Sequence, residues 1–392
     1  MKMIERDMTQ KLIECSKTFP VVTILGPRQS GKTTLARTTF KDYGYVNLED
    51  PETFDFAQSD VNGFFATFKA PLIIDEIQRV PKLASKIQVL VDESGRNGQF
   101  ILTGSFQQAL KSTISQSLAG RTAILNLLPL SIYELNKAGY DTERDEFMYQ
   151  GFMPRLYSQG QPVEMLYSSY FQTYIERDVQ SIVNVKLKYE FERFVRLLAG
   201  RVGQTVNLES LSNDAGASVT TIRNWISVLE SSFVVFKVEP YYENFTKRLV
   251  KTPKIYFTDT GLLCYLLGIH SNEQVARDPL VGSIFENMAM LEILKAQFNH
   301  GREKSLYFFR DSKGFEVDAI IPSANGRFIP IEFKSSMTFS TGFTANLQKM
   351  EKFSGKAERP TVFYSGELEG ESNGVLFRNY RHIGRFVEES TA

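Results

Sequence analysis

The sequence predicts an α/β protein in three parts: a parallel sheet ending in a Gly-rich loop, a helical middle region with a helix-turn-helix, and a second α/β domain. Three observations carry this. The spacing Gly26-x4-Gly31-Lys32-Thr33 falls between an apolar run and a helix-like stretch. Five apolar strand candidates, 21–25, 45–48, 72–76, 100–104 and 122–128, alternate with segments of helical spacing. A charged hairpin, "GFEVDAIIPSANGRFIPIEFKSS", runs from Gly314 to Ser336.

The β-branched run Val21 to Leu25 stops at Gly26. Gly26, Pro27, Arg28, Gln29, Ser30, Gly31, Lys32, Thr33 and Thr34 then read as a phosphate-binding loop in its strand–loop–helix context. Glycines let backbone N–H groups turn inward around phosphate oxygens, and the helix N-terminus adds partial positive charge. Lys32 would reach the β- and γ-phosphates of ATP, and Thr33 would hold Mg²⁺ through its hydroxyl.

A metal-side acid is expected at the end of the strand "PLIIDEIQ". Asp75 would hold Mg²⁺ through water, and Glu76 would orient the attacking water. Small-molecule kinases usually lack this second acid, so hydrolysis is favoured over transfer. "PKLASKIQVLVDESG" has helical spacing at Leu83, Ile87, Leu90 and Val91. "QFILTGS" is a further buried strand, with Ser105 the first choice and Thr103 the second for a polar group sensing the γ-phosphate. Arg121 begins the last strand of this set. Three readings stand for it: a γ-phosphate contact in its own subunit, the same contact in a neighbour, or a surface arginine.

From Tyr149 to Leu198, Tyr167, Tyr170, Phe171, Tyr174 and Ile175, then Phe191, Phe194, Val195 and Leu198, recur at helical spacing and predict helix packing. A helix over Leu208 to Ala215, a turn at Gly216, a helix over Val219 to Leu229 and the apolar "FVVFKVEP" predict a helix-turn-helix with a wing. Its second helix would present Ser218, Thr220, Thr221, Arg223 and Asn224, either to DNA bases or to a protein surface. Lys247, Arg248, Lys251 and Lys254 form a nearby run suited to phosphates, or a solvated loop.

In the charged hairpin Phe315, Val317, Ala319 and Ile321 are expected on one face, with Glu316 and Asp318 on the other. Glu332 and Lys334 follow on the return strand, and Glu286 lies on a preceding helix. An acid on a helix, an Asp on one strand and Glu-x-Lys on the next is the pattern of the PD-(D/E)xK nuclease fold. In that chemistry Glu286, Asp318 and Glu332 would bind Mg²⁺, and Lys334 would act on the attacking water. The alternative is an inactive nuclease-like fold kept for DNA or protein binding.

Composition narrows the partners. The 392 residues suffice for two or three domains, and Lys plus Arg equals Asp plus Glu at 45 each, so any nucleic-acid surface must be local. Two cysteines, Cys15 and Cys264, point to packing in a reducing compartment, and three histidines make zinc an unexpected ligand. "MKMIERDMTQ" lacks the apolar core of a signal peptide, and no run reaches membrane length, so a cytoplasmic protein without a membrane partner is expected.

The segments "GPRQSGKTTL", "LIIDEIQ", "FILTGS", "SLAGRTAILNLLPLS", "GFMPRLY", "YIERDV", "KIYFTDTGLLCYLLG", "GSIFENMAMLEI" and "FEVDAII…IEFKSS" together resemble the bacterial and archaeal AAA-type ATPases that carry a C-terminal domain of unknown function. The resemblance implies an AAA-like core over 1–136, a helical lid or connector over 137–199, a winged helix-turn-helix over 200–254 and a nuclease-like α/β domain over 255–392. It implies ATP and Mg²⁺ as cofactors. The partners to expect are DNA, four-way junctions included, and further copies of the chain, a hexameric ring among the arrangements. A DNA-binding ATPase without cleavage, or an ATP-dependent switch or defence protein acting on a protein partner, is the alternative.

Overall fold

A computed structural model describes residues 3–105, 117–174, 188–241 and 252–391. The N-terminal helix Met8–Thr18 leads into strand β1 (Val21–Leu25). Strands β2 (Gly44–Asn47), β3 (Leu72–Asp75), β4 (Phe100–Gly104) and β5 (Thr122–Asn126) complete a five-stranded sheet of order β2-β3-β4-β1-β5. Every pairing in it is parallel. Helices cover both faces of such a sheet, which is why its central strands carry no polar side chain but Thr23, Asp75 and Thr103 and do not alternate. Val21, Leu25, Ile74 and Leu102 pack into one core layer, and Val22, Ile24, Ile73 and Ile101 into the other. All five strands point their C-terminal ends at one edge, where loops collect.

The middle region is helical, as the spacing predicts. Tyr167, Tyr170, Phe171 and Tyr174 are buried on the helix Val163–Tyr174, and Phe191, Phe194, Val195 and Leu198 on the helix Lys188–Ala199. Ile175 lies outside the described residues. Phe191 and Phe194 pack against Trp225, with ring centroids 5.4 and 5.3 Å away. The helices Leu208–Ala215 and Val219–Ser231 meet at Gly216, whose left-handed backbone (φ 77°) closes the first of them.

The expected wing does not stay with those helices. Its strand β6 (Val235–Pro240) pairs antiparallel with β7 (Lys254–Phe257) and parallel with β8 (Tyr307–Arg310). Both thus belong to an eight-stranded mixed sheet, completed by β9 (Glu316–Pro322), β10 (Phe328–Lys334), β11 (Thr361–Tyr364), β12 (Gly370–Ser372) and β13 (Val375–Asn379) in the order β12-β13-β11-β10-β9-β8-β6-β7. A boundary at residue 254 therefore cuts a sheet. The strand buries Val235, Phe236, Val238 and Pro240 and leaves only Glu239 exposed, which suits a strand paired on both sides rather than an exposed wing.

The long helix Val281–Asn299 joins the two sheets. Its Glu292 and Lys295 are 2% and 1% exposed and lie 2.8 Å apart. Lys295 Nζ also donates to the Leu130 carbonyl at 2.7 Å and sits over the Phe152 ring, while Glu292 Oε2 accepts from Ile132 N at 2.8 Å. A buried ion pair tolerates burial only with such added bonds. Cys15 and Cys264 are free and buried. Among the described residues no helix is long and apolar enough to cross a membrane.

Candidate active site

The loop after β1 has one conformation open to it. A Cβ on Gly26 would lie 2.0 Å from the Leu127 carbonyl oxygen, so only glycine fits. Gly31 precedes the helix Lys32–Thr39 in a left-handed conformation (φ 93°), again a glycine geometry. The buried Lys32 turns its ammonium onto the carbonyls of Gly26 (3.0 Å) and Pro27 (2.8 Å). The loop is braced from behind by Arg6. Its Nη1 donates to the Ser30 carbonyl at 2.7 Å and its Nη2 to the Leu128 carbonyl at 2.7 Å, while Nε pairs with the buried Glu134 at 2.9 Å.

The acids meet the loop where β3 ends. Thr33 Oγ1 donates to Asp75 Oδ2 at 2.8 Å, and Tyr45 OH donates to the same oxygen at 3.1 Å. Thr103 Oγ1 donates to the other Asp75 oxygen. Glu76 adopts a left-handed backbone (φ 56°), which turns its side chain out of the strand line. Its Oε2 accepts from Ser105 Oγ at 3.0 Å and from Gln78 Nε2. The two polar residues at the end of β4 thus divide: Thr103 serves Asp75, and Ser105 serves Glu76. Burial, and then the Asp75 charge, push the Tyr45 phenol well above its ordinary range, so it stays a donor. Tyr45 and Gln78 were not anticipated from sequence; a tyrosine on an edge strand gives no motif.

Lys32, Thr33, Asp75 and Glu76 line a cavity of about 860 Å³ that also takes in Arg155, from the first turn of the helix Pro154–Gln159. The donor set suits Mg²⁺ and a polyphosphate. A Thr hydroxyl and an Asp carboxylate adjoin, and the buried Ser30 Oγ has no hydrogen-bond partner among the described residues.

Arg121 lies elsewhere. In the parallel register Val21 faces Thr122 and Leu25 faces Asn126, so Arg121 is at the start of β5, across the sheet from the loop. Five residues of strand, on the order of 15 Å, separate the two edges. Its guanidinium grips Asp92 at 2.6 and 2.8 Å. The expectation of a γ-phosphate contact within one subunit is therefore corrected.

The C-terminal charges also depart from expectation. Register shifts by one residue between Tyr307 and Phe309, a bulge-type irregularity on the β8–β9 pair. Phe315 and Val317 consequently pack in one core and Ala319 and Ile321 in another, instead of sharing a face. The acids separate into two ion-pair groups. In one, Lys254 Nζ bridges Glu286 Oε1 (3.0 Å) and Glu316 Oε1 (2.5 Å), Tyr256 OH donates to Glu286 Oε1 (2.6 Å), and Arg310 reaches Glu316 Oε2 (3.3 Å). In the other, Lys334 Nζ lies 2.5 Å from Glu332 Oε2 and 3.9 Å from Asp318 Oδ2, Phe333 N donates to Asp318 Oδ2 (2.8 Å), and Asn346 Nδ2 donates to Glu332 Oε1 (3.3 Å).

Burial, and then Asp318, raise the Glu332 carboxyl to about 8. Burial pulls the Lys254 ammonium down, but Glu286, Glu316 and Asp318 more than offset it and raise its pKa. The Mg²⁺ expected on Glu286, Asp318 and Glu332 does not fit this arrangement. Among the described residues no group of three or more His, Cys, Asp or Glu side chains is placed to hold a metal ion.

The outward face of the helix Val219–Ser231 matches the sequence reading more closely. Ser218, Thr220, Arg223 and Asn224 are exposed and Thr221 is half-buried, with Ser218 Oγ capping Thr221 N at 3.1 Å. Of the basic run, Lys247, Arg248 and Lys251 lie outside the described residues. Lys254 is 2% exposed, so its assignment to a phosphate surface is corrected.

Residues 18–136 match the family described as AAA domain. Residues 141–273 and 281–378 each match a family described as a domain of unknown function (DUF8612 and DUF4143). An uncharacterized protein of Mycobacterium tuberculosis is 29% identical over 336 residues, covering 85% of this chain and 74% of its own. An uncharacterized protein of Haemophilus influenzae is 25% identical over 333 residues, covering 76% and 80%. The Walker-type ATPase of Pyrococcus abyssi is similar with a TM-score of 0.45 and 14% identity, covering 67% of this chain and 96% of its own. The AAA-domain match and the loop–acid geometry fall on the same N-terminal residues.

Proposed function

We propose that the protein hydrolyses ATP and uses the cycle to change its hold on DNA. One observation carries the reading: Thr33 and Asp75 share a hydrogen bond at the head of the loop while Glu76, the next residue, is held apart by Ser105 and Gln78. Mg²⁺ on Thr33 and Asp75 would neutralise phosphate charge. Backbone N–H groups of the loop and Lys32 bind the phosphates. Glu76 orients the attacking water and accepts its proton, with Ser105 fixing the carboxylate. Arg155 is exposed in the same cavity with no partner among the described residues, so it is free to meet phosphate charge. Further copies of the chain would bring Arg121, half-buried at the far edge, to a neighbour's nucleotide.

The DNA part of the proposal rests on the polar outward face of the helix Val219–Ser231, the second helix of the helix-turn-helix. Four-way junctions are the branched substrate to include. Cleavage is the second reading. The placement of Glu286 on a helix and of Asp318, Glu332 and Lys334 on successive strands favours it, while the lysine-occupied carboxylates oppose it. Phosphate release from Mg-ATP, measured alone and with single-stranded, duplex and four-way DNA, tests the proposal. Turnover stimulated by one of the DNAs is expected. Absence of turnover sinks the ATPase reading; turnover and DNA binding indifferent to all three sink the DNA reading.

A further inference from the structure

The acids of the C-terminal domain would be costly to bury without a compensating cation. The geometry points to Lys254 as that cation: a fixed, built-in positive charge between Glu286 and Glu316, in place of a metal ion. Lys254 begins β7, on the far side of β6 and β8 from Glu316. Its ammonium lies 5.4 Å from the Phe308 ring centroid, and its side chain is 2% exposed. The ammonium meets one carboxylate from the long helix and one from β9, at 3.0 and 2.5 Å. Tyr256, two residues on, adds a hydrogen bond to the same Glu286 oxygen. Arg310 takes the second Glu316 oxygen.

A divalent ion needs several oxygens converging at about 2.0–2.6 Å. Lys254 holds an oxygen of each of the two acids. Asp318 and Glu332 are committed to Lys334 and to Phe333 N and Asn346. Lys254 is therefore a clamp of β7, the long helix and β9, and the cluster works without metal. Removing the lysine leaves the two carboxylates without their shared cation, Arg310 holding only the second Glu316 oxygen and Tyr256 only a neutral hydrogen bond to Glu286. Such a pair recruits a divalent ion, because like charges in a poorly hydrated site repel.

The test is Mn²⁺ binding to the full, nucleotide-free chain, followed by electron paramagnetic resonance of the free ion. Wild type, Glu286→Gln and Asp318→Asn should bind the same number of ions. Lys254→Ala should bind one more per chain, and Lys254→Ala/Glu316→Gln should lose it again. Lys254→Arg, which keeps the charge, should match wild type. An ion in wild type that Glu286→Gln or Asp318→Asn removes overturns the inference. So does a folded Lys254→Ala protein with no added ion. If Lys254→Ala does not fold, the comparison of wild type with Glu286→Gln and Asp318→Asn still decides whether lysine or metal occupies the cluster.

Discussion

Arg6 holds the phosphate-binding loop by its carbonyl side: its Nη1 lies 2.7 Å from the Ser30 oxygen. The same guanidinium is tied to Glu134, and Glu134 is itself the N3 residue of a capping box with Ser131, accepting from Ser131 N at 2.8 Å. A residue far from the motif in sequence thus fixes the loop on which nucleotide binding depends.

Arg6→Ala should destabilise the chain by about 3 kcal/mol, because Glu134 is left charged and buried. Nucleotide affinity should fall as well, since the Ser30 carbonyl loses its anchor. Glu134→Gln in the Arg6→Ala background should recover part of the stability and none of the affinity. Chemical denaturation and nucleotide titration of the single and double variants check this. Equal affinity in Arg6→Ala and wild type would show that the loop keeps its shape unaided.

Lys32→Ala should weaken nucleotide binding, because the charge facing the β- and γ-phosphates is gone. Glu76→Gln should bind ATP normally and turn over at least about 100-fold more slowly, as expected for loss of a general base. Ser105→Ala should lie between wild type and Glu76→Gln, because it frees the carboxylate without removing it. Binding and single-turnover hydrolysis of the three variants separate these effects. Unchanged turnover in Glu76→Gln would remove Glu76 from its role.

The loop, its two acids and the strands around them were legible because each is local. Apolar β-branched runs, Gly26 and Gly31 at fixed spacing, and Asp75-Glu76 at a strand end are all read within a few residues. What stayed hidden depends on long-range placement. Lys254 sits in a run of basic residues and looks solvated; only the pairing of β7 into the sheet, beside the long helix, buries it. Arg121 begins a strand as expected, but parallel pairing puts every strand start on the wrong edge for the loop. Glu316 and Asp318 alternate correctly in sequence, and an irregular register then gives them different partners. Arg6 carries no motif, since its bonds are to backbone carbonyls of Ser30 and Leu128.

Arg121 provides a test of assembly. Placed at the sheet edge away from its own loop, it can affect hydrolysis only through a neighbouring subunit. Arg121→Ala should then bind ATP and hydrolyse it poorly, and mixing it with Lys32→Ala subunits should restore part of the activity. Hydrolysis at wild-type rate by Arg121→Ala would reduce the residue to its ion pair with Asp92. That pair is surface-exposed and worth about 0–1 kcal/mol.

Asp7 makes stability depend on pH. Burial, and next the neighbouring Glu134 charge, raise its carboxyl from 3.8 to about 7, against the opposing pull of Lys137, Arg6 and His300. An acid with a raised folded-state pKa binds its proton more tightly folded than unfolded. Its contribution is therefore complete below about pH 4 and is lost as pH rises through 7. Asp7→Asn mimics the protonated form and lacks that loss. The variant should match wild type near pH 4, differ progressively as pH rises, and exceed it at pH 8 by on the order of 1 kcal/mol after solvent screening of a partly exposed group. The Asp7 N–H bond to Glu134 Oε1, 2.9 Å, involves the backbone and survives the substitution, so the difference reports the carboxyl alone. Thermal unfolding at pH 4 and pH 8 measures it. A difference of equal size at both values would assign the effect to packing rather than to the charge of Asp7.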